Sequence, residues 1–153
     1  MKAATTIACR FVETFGEPIG TPFPELTRLT PSPARIADAS VDAIARHGIV
    51  AARSRCIIGL AEAQSTSALS LDGGVHGDPD ASIQRLAALP GIGPWTAHYI
   101  AMRALRWPDA FPKEDIAVRK RLGGVSAKEA DVLSQAWRPW RSYAVMHLWH
   151  MAA

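Results

Sequence analysis

The chain contains only two cysteines, Cys9 and Cys56, and no Cys-x-x-Cys motif. A cysteine-ligated iron–sulfur cluster is therefore excluded, because such clusters need several closely spaced thiolates. Each cysteine stands alone in an apolar helical pattern, which favours two buried free thiols over a disulfide. His147 and His150 lie three residues apart and could share a metal, but with no third ligand nearby we expect no metal site.

Long hydrophobic runs are also missing. No stretch approaches the length of about 18 apolar residues that a transmembrane helix needs. Arg10 and Glu13 interrupt the first apolar segment, which does not fit a signal peptide. Alternating strand patterns and internal repeats do not occur either. With 48% apolar and 20% charged residues, we expect an all-α, soluble, cytoplasmic protein with one domain over residues 1–153 and no β domain.

Apolar periodicity, capping residues and prolines predict where the helices lie. Ser126 and Glu129 have the spacing of a capping box, Ser40 can cap a short helix, and Asp78 or Asp80 can cap another. The loop from Asp72 to Pro79 is rich in glycine. The predicted helices span about residues 3–15, 33–39, 41–46, 50–71, 81–88, 94–107, 116–122 and 127–136, with a last helix opened by Pro139.

A tight helix-turn-helix hairpin is predicted at about residues 81–106, around the segment Leu89–Pro94. Pro94 suits a first helical position, and we expect Gly93 to adopt backbone angles closed to other residues. The partial positive charge of a helix N-terminus attracts phosphate. The predicted phosphate-binding amides are those of Gly91, Gly93, Trp95 and Thr96.

Two other interpretations of the glycines were weighed. A dinucleotide fingerprint needs a third glycine after a strand, and a Walker loop needs Gly-Lys-Ser/Thr; neither is present. An ordinary corner between two helices, with glycines chosen for geometry, remains an alternative.

Chemistry-bearing residues concentrate after the hairpin. Asp115 lies twenty-two residues after Gly93 and precedes an apolar helical run, so an N-cap role is the structural alternative to a catalytic one. All five tryptophans lie at residue 95 or later, and with Tyr99 and Tyr143 they offer ring faces for a flat ligand. Residues 94–153 hold nine Lys/Arg and five Asp/Glu. This basic excess points to a polyanionic partner, although any single charge could simply be solvated.

Three segments carry a family resemblance: LPGIGPWTAHYIAMRAL, FPKEDIAVRKRL and WRPWRSYAVMHLW. They resemble the helix-hairpin-helix DNA glycosylase superfamily, and within it the DNA-3-methyladenine glycosylase II family. The resemblance covers nearly the whole chain, weakly over the first eighty residues and strongly after them. It implies an all-α helix-hairpin-helix DNA glycosylase core that binds double-stranded DNA with alkylated bases, in the nucleoid when acting on DNA.

The resemblance also implies roles for residues. Asp115, within Asp-x-x-Val-x-Arg, matches the family's catalytic aspartate, and Trp95, Tyr99 and Trp149 match its base-pocket aromatics. Members that cut the backbone carry a lysine where this chain has Trp95, so a monofunctional glycosylase is expected, one that releases 3-methyladenine or 7-methylguanine with water after base flipping. No cofactor is implied beyond Na⁺ or K⁺ on the hairpin carbonyls of Leu89 and Ile92.

The sequence departs from the family pattern in two places. Ile116 stands where the family often has a tyrosine, which weakens one stacking wall. The family's N-terminal β-rich domain, its first helix and the segment that wedges into the gap left by the flipped base have no counterpart before Met1. We therefore expect a truncated chain, a chain that needs a partner domain, or a decayed copy. The alternative function is a non-catalytic DNA-binding module; a helical protein unrelated to nucleic acid is a third hypothesis.

Overall fold

The computed structural model describes residues 2–71 and 78–151, and these residues form helices without any strand. The all-α fold class is therefore confirmed, and the one β-bridge, between Pro18 and Arg28, stands isolated in this part of the chain. The predicted glycine-rich loop falls largely on residues 72–77, outside the described part. The helices are α1 Lys2–Phe15, α2 Pro33–Ala37, α3 Val41–Ala45, α4 Ala51–Ser65, α5 Pro79–Ala87, α6 Pro94–Arg103, α7 Ile116–Arg121, α8 Ala127–Ser134 and α9 Arg141–His150, with a 3₁₀ turn at Gln135–Trp137.

The chain divides into two compact units, and the first comprises residues 1–70 together with Leu89–Gly91. Within it, α4 packs against the short helices α2 and α3. Ser32 and Ser40 cap these two helices through their side chains, as predicted for Ser40. The core of this unit contains Phe15, Ile36, Ile44 and Ala61. Helices of five residues are not stable alone, so their packing on α4 maintains them.

The second unit comprises Leu71–Ala88 and the chain from Ile92 onward. In it α5 packs against α6, and α7 packs against α9. Side chains without solvent exposure, such as Leu86, Ala97, Val118 and Val145, form its core. Asp78 caps α5, and Ser126 with Glu129 forms the predicted capping box of α8. The predicted catalytic and pocket residues Asp115, Trp95, Tyr99 and Trp149 lie in this unit, whereas the hairpin residues Leu89 and Gly91 belong to the first.

Several predicted helix boundaries were wrong, and the backbone shows why. Helix α4 ends at Ser65 rather than near residue 71, because Ser67 adopts a left-handed φ of 59°. Helix α6 ends at Arg103 rather than near residue 107: the amides of Ala104 and Leu105 both donate to the carbonyl of Ile100, and Arg106 has φ 56°. This turn buries Leu105. The last two boundaries also shift: α8 ends at residue 134, and the last helix begins at residue 141.

The two cysteines are free, as predicted, but the expectation that both are buried was wrong. Cys9 is exposed and Cys56 is partly buried. On α1 the residues facing the core include Ile7, Phe11 and Phe15 at intervals of four, and position 9 is about 200° around the helix from position 7. Cys9 therefore lies on the solvent side. Over residues 2–71 and 78–151, no helix combines the length and apolarity required to cross a bilayer.

Candidate active site

Asp115 lies directly before α7 and is both a helix cap and the centre of a polar cluster. Its Oδ1 accepts a hydrogen bond from the backbone N–H of Val118 at 2.8 Å, which is the predicted N-cap bond. The same oxygen accepts from the indole N–H of Trp149 at 3.3 Å, and Oδ2 accepts from the indole N–H of Trp95 at 2.8 Å. The residue is 8% exposed. Three N–H donors on separate segments therefore fix the carboxylate in position.

Trp95, Tyr99 and Trp149, the predicted pocket aromatics, form one continuous cluster beside this carboxylate. The rings of Trp95 and Tyr99, four residues apart on α6, stack with centroids 5.2 Å apart and planes 16° apart. Tyr99 is 6.1 Å from Trp149, at an angle of 40°. Trp95 and Tyr99 are 38% and 37% exposed, so both retain solvent-accessible ring surface. The structure thus brings together all four residues of the predicted centre, whose role stays a prediction.

Position 95 carries an indole where backbone-cutting members of the superfamily carry a lysine. Lys113, the lysine adjacent in sequence to this centre, makes a salt bridge with Asp131 at 3.2 Å. Ile116, the departure noted above, is an exposed residue in the first turn of α7. The side chains around Asp115 therefore offer a carboxylate, indole N–H groups and aromatic faces.

The backbone conformations of the two glycines in the hairpin turn differ from our expectation. Gly93 is the N-cap of α6 with φ −83° and ψ 171°, a conformation that any residue adopts, so the prediction of special backbone angles there was wrong. Gly91, with φ 87°, takes the left-handed conformation instead. In the part of the chain that the structure describes, no side chain caps α6. The N–H groups of Trp95 and Thr96, in the first turn of α6, therefore have no side-chain cap among the described residues.

A buried ion pair that the sequence did not reveal lies in the same unit. Arg141 donates to both carboxylate oxygens of Asp109 at 2.8 and 2.9 Å, and Arg138 donates to Oδ2 at 2.9 Å. Burial alone would raise the pKa of Asp109, but the hydrogen bonds from Arg141 and Arg138 outweigh it and hold the pKa below its usual value. The ion pair connects the segment after α6 to the start of α9, the helix that carries Trp149.

Two further residues of this unit that the sequence did not single out are His98 and Glu114. His98 Nδ1 and Glu114 Oε2 are buried atoms that have no hydrogen-bond partner among the described residues. Burial lowers the pKa of His98, an effect that the charge of Glu114 opposes and the charges of Arg141 and Lys113 reinforce. No sequence pattern marks these residues as neighbours.

Over the described residues, no group of three or more histidines, cysteines, aspartates or glutamates is arranged to hold a metal. The ring nitrogen Nδ1 of His150 lies 3.0 Å from the carbonyl oxygen of Met146, on its own helix. Among the described residues, the two histidines of α9 thus have no group of further ligands around them of the kind that a metal centre requires.

Comparison with known proteins shows that the chain is similar in sequence to DNA repair proteins. The chain is 42% identical, over 97% of its length, to a Mycobacterium tuberculosis protein named "Probable bifunctional transcriptional activator/DNA repair enzyme AlkA". It is 32% identical, over 96% of its length, to "DNA-3-methyladenine glycosylase 2" of Escherichia coli. The chain is a homologue of the DNA-3-methyladenine glycosylases. It spans 30% of the first relative and 51% of the second, about half their length or less. No family model matches the chain.

Solved structures agree on the fold. A 3-methyladenine DNA glycosylase from Archaeoglobus fulgidus superposes with a TM-score of 0.78 at 20% identity, covering 97% of this chain and 51% of that one. The Schizosaccharomyces pombe enzyme Mag1, in complex with abasic DNA, superposes with a TM-score of 0.70 at 22% identity, covering 97% of this chain and 71% of that one. The chain therefore has the fold of the helical DNA glycosylases.

Proposed function

We propose that this chain carries the catalytic part of a monofunctional DNA glycosylase that excises alkylated purines, of the 3-methyladenine and 7-methylguanine type, in base excision repair. The observation that carries the proposal is the Asp115 carboxylate held by the indoles of Trp95 and Trp149 beside the ring of Tyr99. The name of the Escherichia coli relative supports this activity, the name of the Mycobacterium tuberculosis relative supports a role in DNA repair, and the complex of Mag1 with abasic DNA supports DNA as the partner.

The chemistry of the substrate fits these residue types. A purine that is methylated at N3 or N7 while bonded to the sugar carries a positive charge, so electron-rich ring faces attract it by about 0.5 to 2 kcal/mol per favourable contact. When the bond between the sugar C1′ and the base breaks, the base leaves with the electron pair and becomes neutral. The sugar becomes an oxocarbenium-like cation that the carboxylate of Asp115 stabilises. The oxygen of a water then bonds to C1′, and its proton passes to Asp115 and on to solvent.

The aspartate is tested by release of free 3-methyladenine from methylated duplex DNA. Asp115→Asn removes the charge and keeps an effective N-cap, so helix α7 should persist. Loss of a charge aimed at the developing cation should slow release by at least about 100-fold. Asp42→Asn, at an exposed carboxylate in the other unit, is the matched control and should release the base at the wild-type rate. Equal release by Asp115→Asn and wild type would contradict the role of Asp115.

The monofunctional assignment has its own test. A backbone-cutting enzyme forms a Schiff base between an amine and the sugar aldehyde, and borohydride reduces that bond to a permanent adduct. With an indole at position 95 and Lys113 paired to Asp131, we expect borohydride to trap no adduct between the protein and DNA. A trapped adduct at Lys113 would refute this reasoning.

We propose that the N-terminus of α6 binds DNA, with the amides of Trp95 and Thr96 donating hydrogen bonds to a backbone phosphate. A Cβ added to Gly93 would meet no atom within 4 Å, so Gly93→Ala should fold normally. We expect its methyl to hinder a phosphate that approaches the amides of the first turn. We expect duplex affinity at low salt to fall by about tenfold, the worth of one hydrogen bond to a charged group. Gly20→Ala, at a loop glycine with equally open space, is the control; an equal affinity of both variants would contradict the proposal.

A DNA-binding module without turnover is the second candidate, and the burial and cap bond of Asp115 favour it. Phosphate contacts carry no information about damage, so such a module would bind plain duplex and duplex with an abasic-site analogue equally. A glycosylase would prefer the abasic analogue. Binding titrations of the two duplexes at one salt concentration distinguish the candidates.

A further inference from the structure

A cavity of about 370 Å³ opens beside the end of α6 and the first turns of α9, within the second unit. Its volume lies at the lower end of the range for small-molecule sites, about 300 to 1,000 Å³. None of the residues that line it belongs to the Asp115 cluster. The lining includes Met102, Arg103, Arg106, Trp107, Tyr143 and Met146.

The cavity carries positive charge without a paired carboxylate. Arg103 and Arg106 are exposed, and within residues 2–71 and 78–151 neither makes a salt bridge. The hydrogen bond found for Arg103 is a long one, from Nη1 to the sulfur of Met146 at 3.6 Å. The nearby carboxylate of Asp109 is already taken by Arg138 and Arg141. Two guanidinium groups are thus available to an anion.

Aromatic surface lies next to these charges. Tyr143 lines the cavity although its side chain is largely exposed, and its ring meets that of Trp140 with centroids 5.7 Å apart. Trp107 also lines the cavity and is partly buried. An exposed aromatic face beside arginines is the combination that stacks a base and binds its phosphate.

Hydrogen bonds join two of the segments that line the cavity. The Ser142 hydroxyl lies 2.8 Å from the Trp107 carbonyl oxygen and 2.9 Å from that of Ala110, and the Ser142 amide donates to the Pro108 carbonyl at 2.9 Å. Arg106 is held with φ 56°. A non-glycine residue rarely adopts this conformation, and such residues concentrate at ligand-binding sites.

We propose that this cavity is a nucleotide-binding site separate from the Asp115 centre. A nucleobase stacks on Tyr143 in the cavity that Trp107 also lines, and Arg103 and Arg106 bind its phosphate. The ligand is either a free nucleotide or one nucleotide of a single strand. The chemistry is the same in both cases, and neither case depends on the glycosylase activity.

Equilibrium dialysis with the full chain tests the proposal, using four probes: 5′-dAMP, adenosine, inorganic phosphate and the single-stranded tetranucleotide (dA)₄. We expect 5′-dAMP or (dA)₄ to bind at least about tenfold more tightly than adenosine or phosphate alone, because base and phosphate both contribute. Binding of 5′-dAMP as tight as that of (dA)₄ identifies a free nucleotide as the ligand. Binding of (dA)₄ alone identifies a strand.

Variants locate the binding. Arg106→Ala and Tyr143→Ala, both at exposed side chains, should each weaken binding of the better probe by about tenfold. Arg121→Ala removes the same charge from an exposed position of α7 that does not line the cavity, and should bind as wild type does. The proposal is overturned if none of the probes binds, or if phosphate alone binds equally well. It is also overturned if Trp95→Ala abolishes binding while Arg106→Ala leaves it intact.

Discussion

Replacement of Asp109 by asparagine should destabilise the second unit strongly. The side chains of Asp109 and Arg141 are 9% and 8% exposed, and the guanidinium group of Arg141 makes two hydrogen bonds to the carboxylate. Asp109→Asn would leave the guanidinium charge buried without a counter-charge. Removing one partner of such a pair costs about 3 to 5 kcal/mol, a large part of the roughly 5 to 15 kcal/mol by which domains are stable.

An exposed salt bridge contributes less to stability than a buried one, so it supplies the control. Lys113 and Asp131 form a salt bridge with side chains 41% and 39% exposed. A pair of this kind contributes about 0 to 1 kcal/mol, so Asp131→Asn should change stability little. At about 2 to 4 °C per kcal/mol for a chain of this size, we expect the melting temperature to fall by about 10 °C in Asp109→Asn and by less than about 4 °C in Asp131→Asn.

Tryptophan fluorescence is the appropriate assay, because all five tryptophans belong to the second unit and report its unfolding. Acid titration adds an independent check. Since the pKa of folded Asp109 lies below its ordinary value of 3.8, its stabilisation is present at neutral pH and disappears as the pH falls through the folded pKa. In Asp109→Asn, the stability should therefore depend less on pH over this acid range. Equal melting temperatures for the two variants would refute the assignment of Asp109–Arg141 as the stabilising pair.

Two further predictions concern α6 and its turn. The pKa of folded His98 lies below 6.5, so the unfolded chain binds a proton more readily, and the free energy of unfolding should decrease as the pH falls below about 6.5. Urea titrations of His98→Gln should show a weaker dependence of this free energy on pH. An unchanged pH dependence would contradict the argument that burial lowers the pKa of His98. Gly91→Ala forces φ 87° on a residue with a side chain and places its Cβ 3.0 Å from the Cβ of Cys56, so it should cost about 1 to 2 kcal/mol, whereas Gly93→Ala should cost almost nothing; equal denaturation midpoints would disprove the distinction.

The local features of this fold were accessible to sequence reasoning. The capping box at Ser126, the hairpin and the helical character of most segments depend on residues within one or two turns of each other. The boundaries of α4 and α6 were misplaced because left-handed backbone at Ser67 and Arg106 is not typical of those residues. Ends of helices depend on what the following loop packs against, and periodicity does not contain that information.

For the candidate site, the sequence by itself determined the inventory: a carboxylate before a helix, aromatics four residues apart on α6, and an indole in place of an amine. Only the tertiary structure decided that Trp95 and Trp149, which are 20 and 34 residues from Asp115 along the chain, donate to the same carboxylate. It alone paired Asp109 with Arg141 and gathered the arginines and rings of the nucleotide cavity. Caps and helical periods arise from neighbouring residues, whereas the partners of a buried charge are chosen by how distant segments pack.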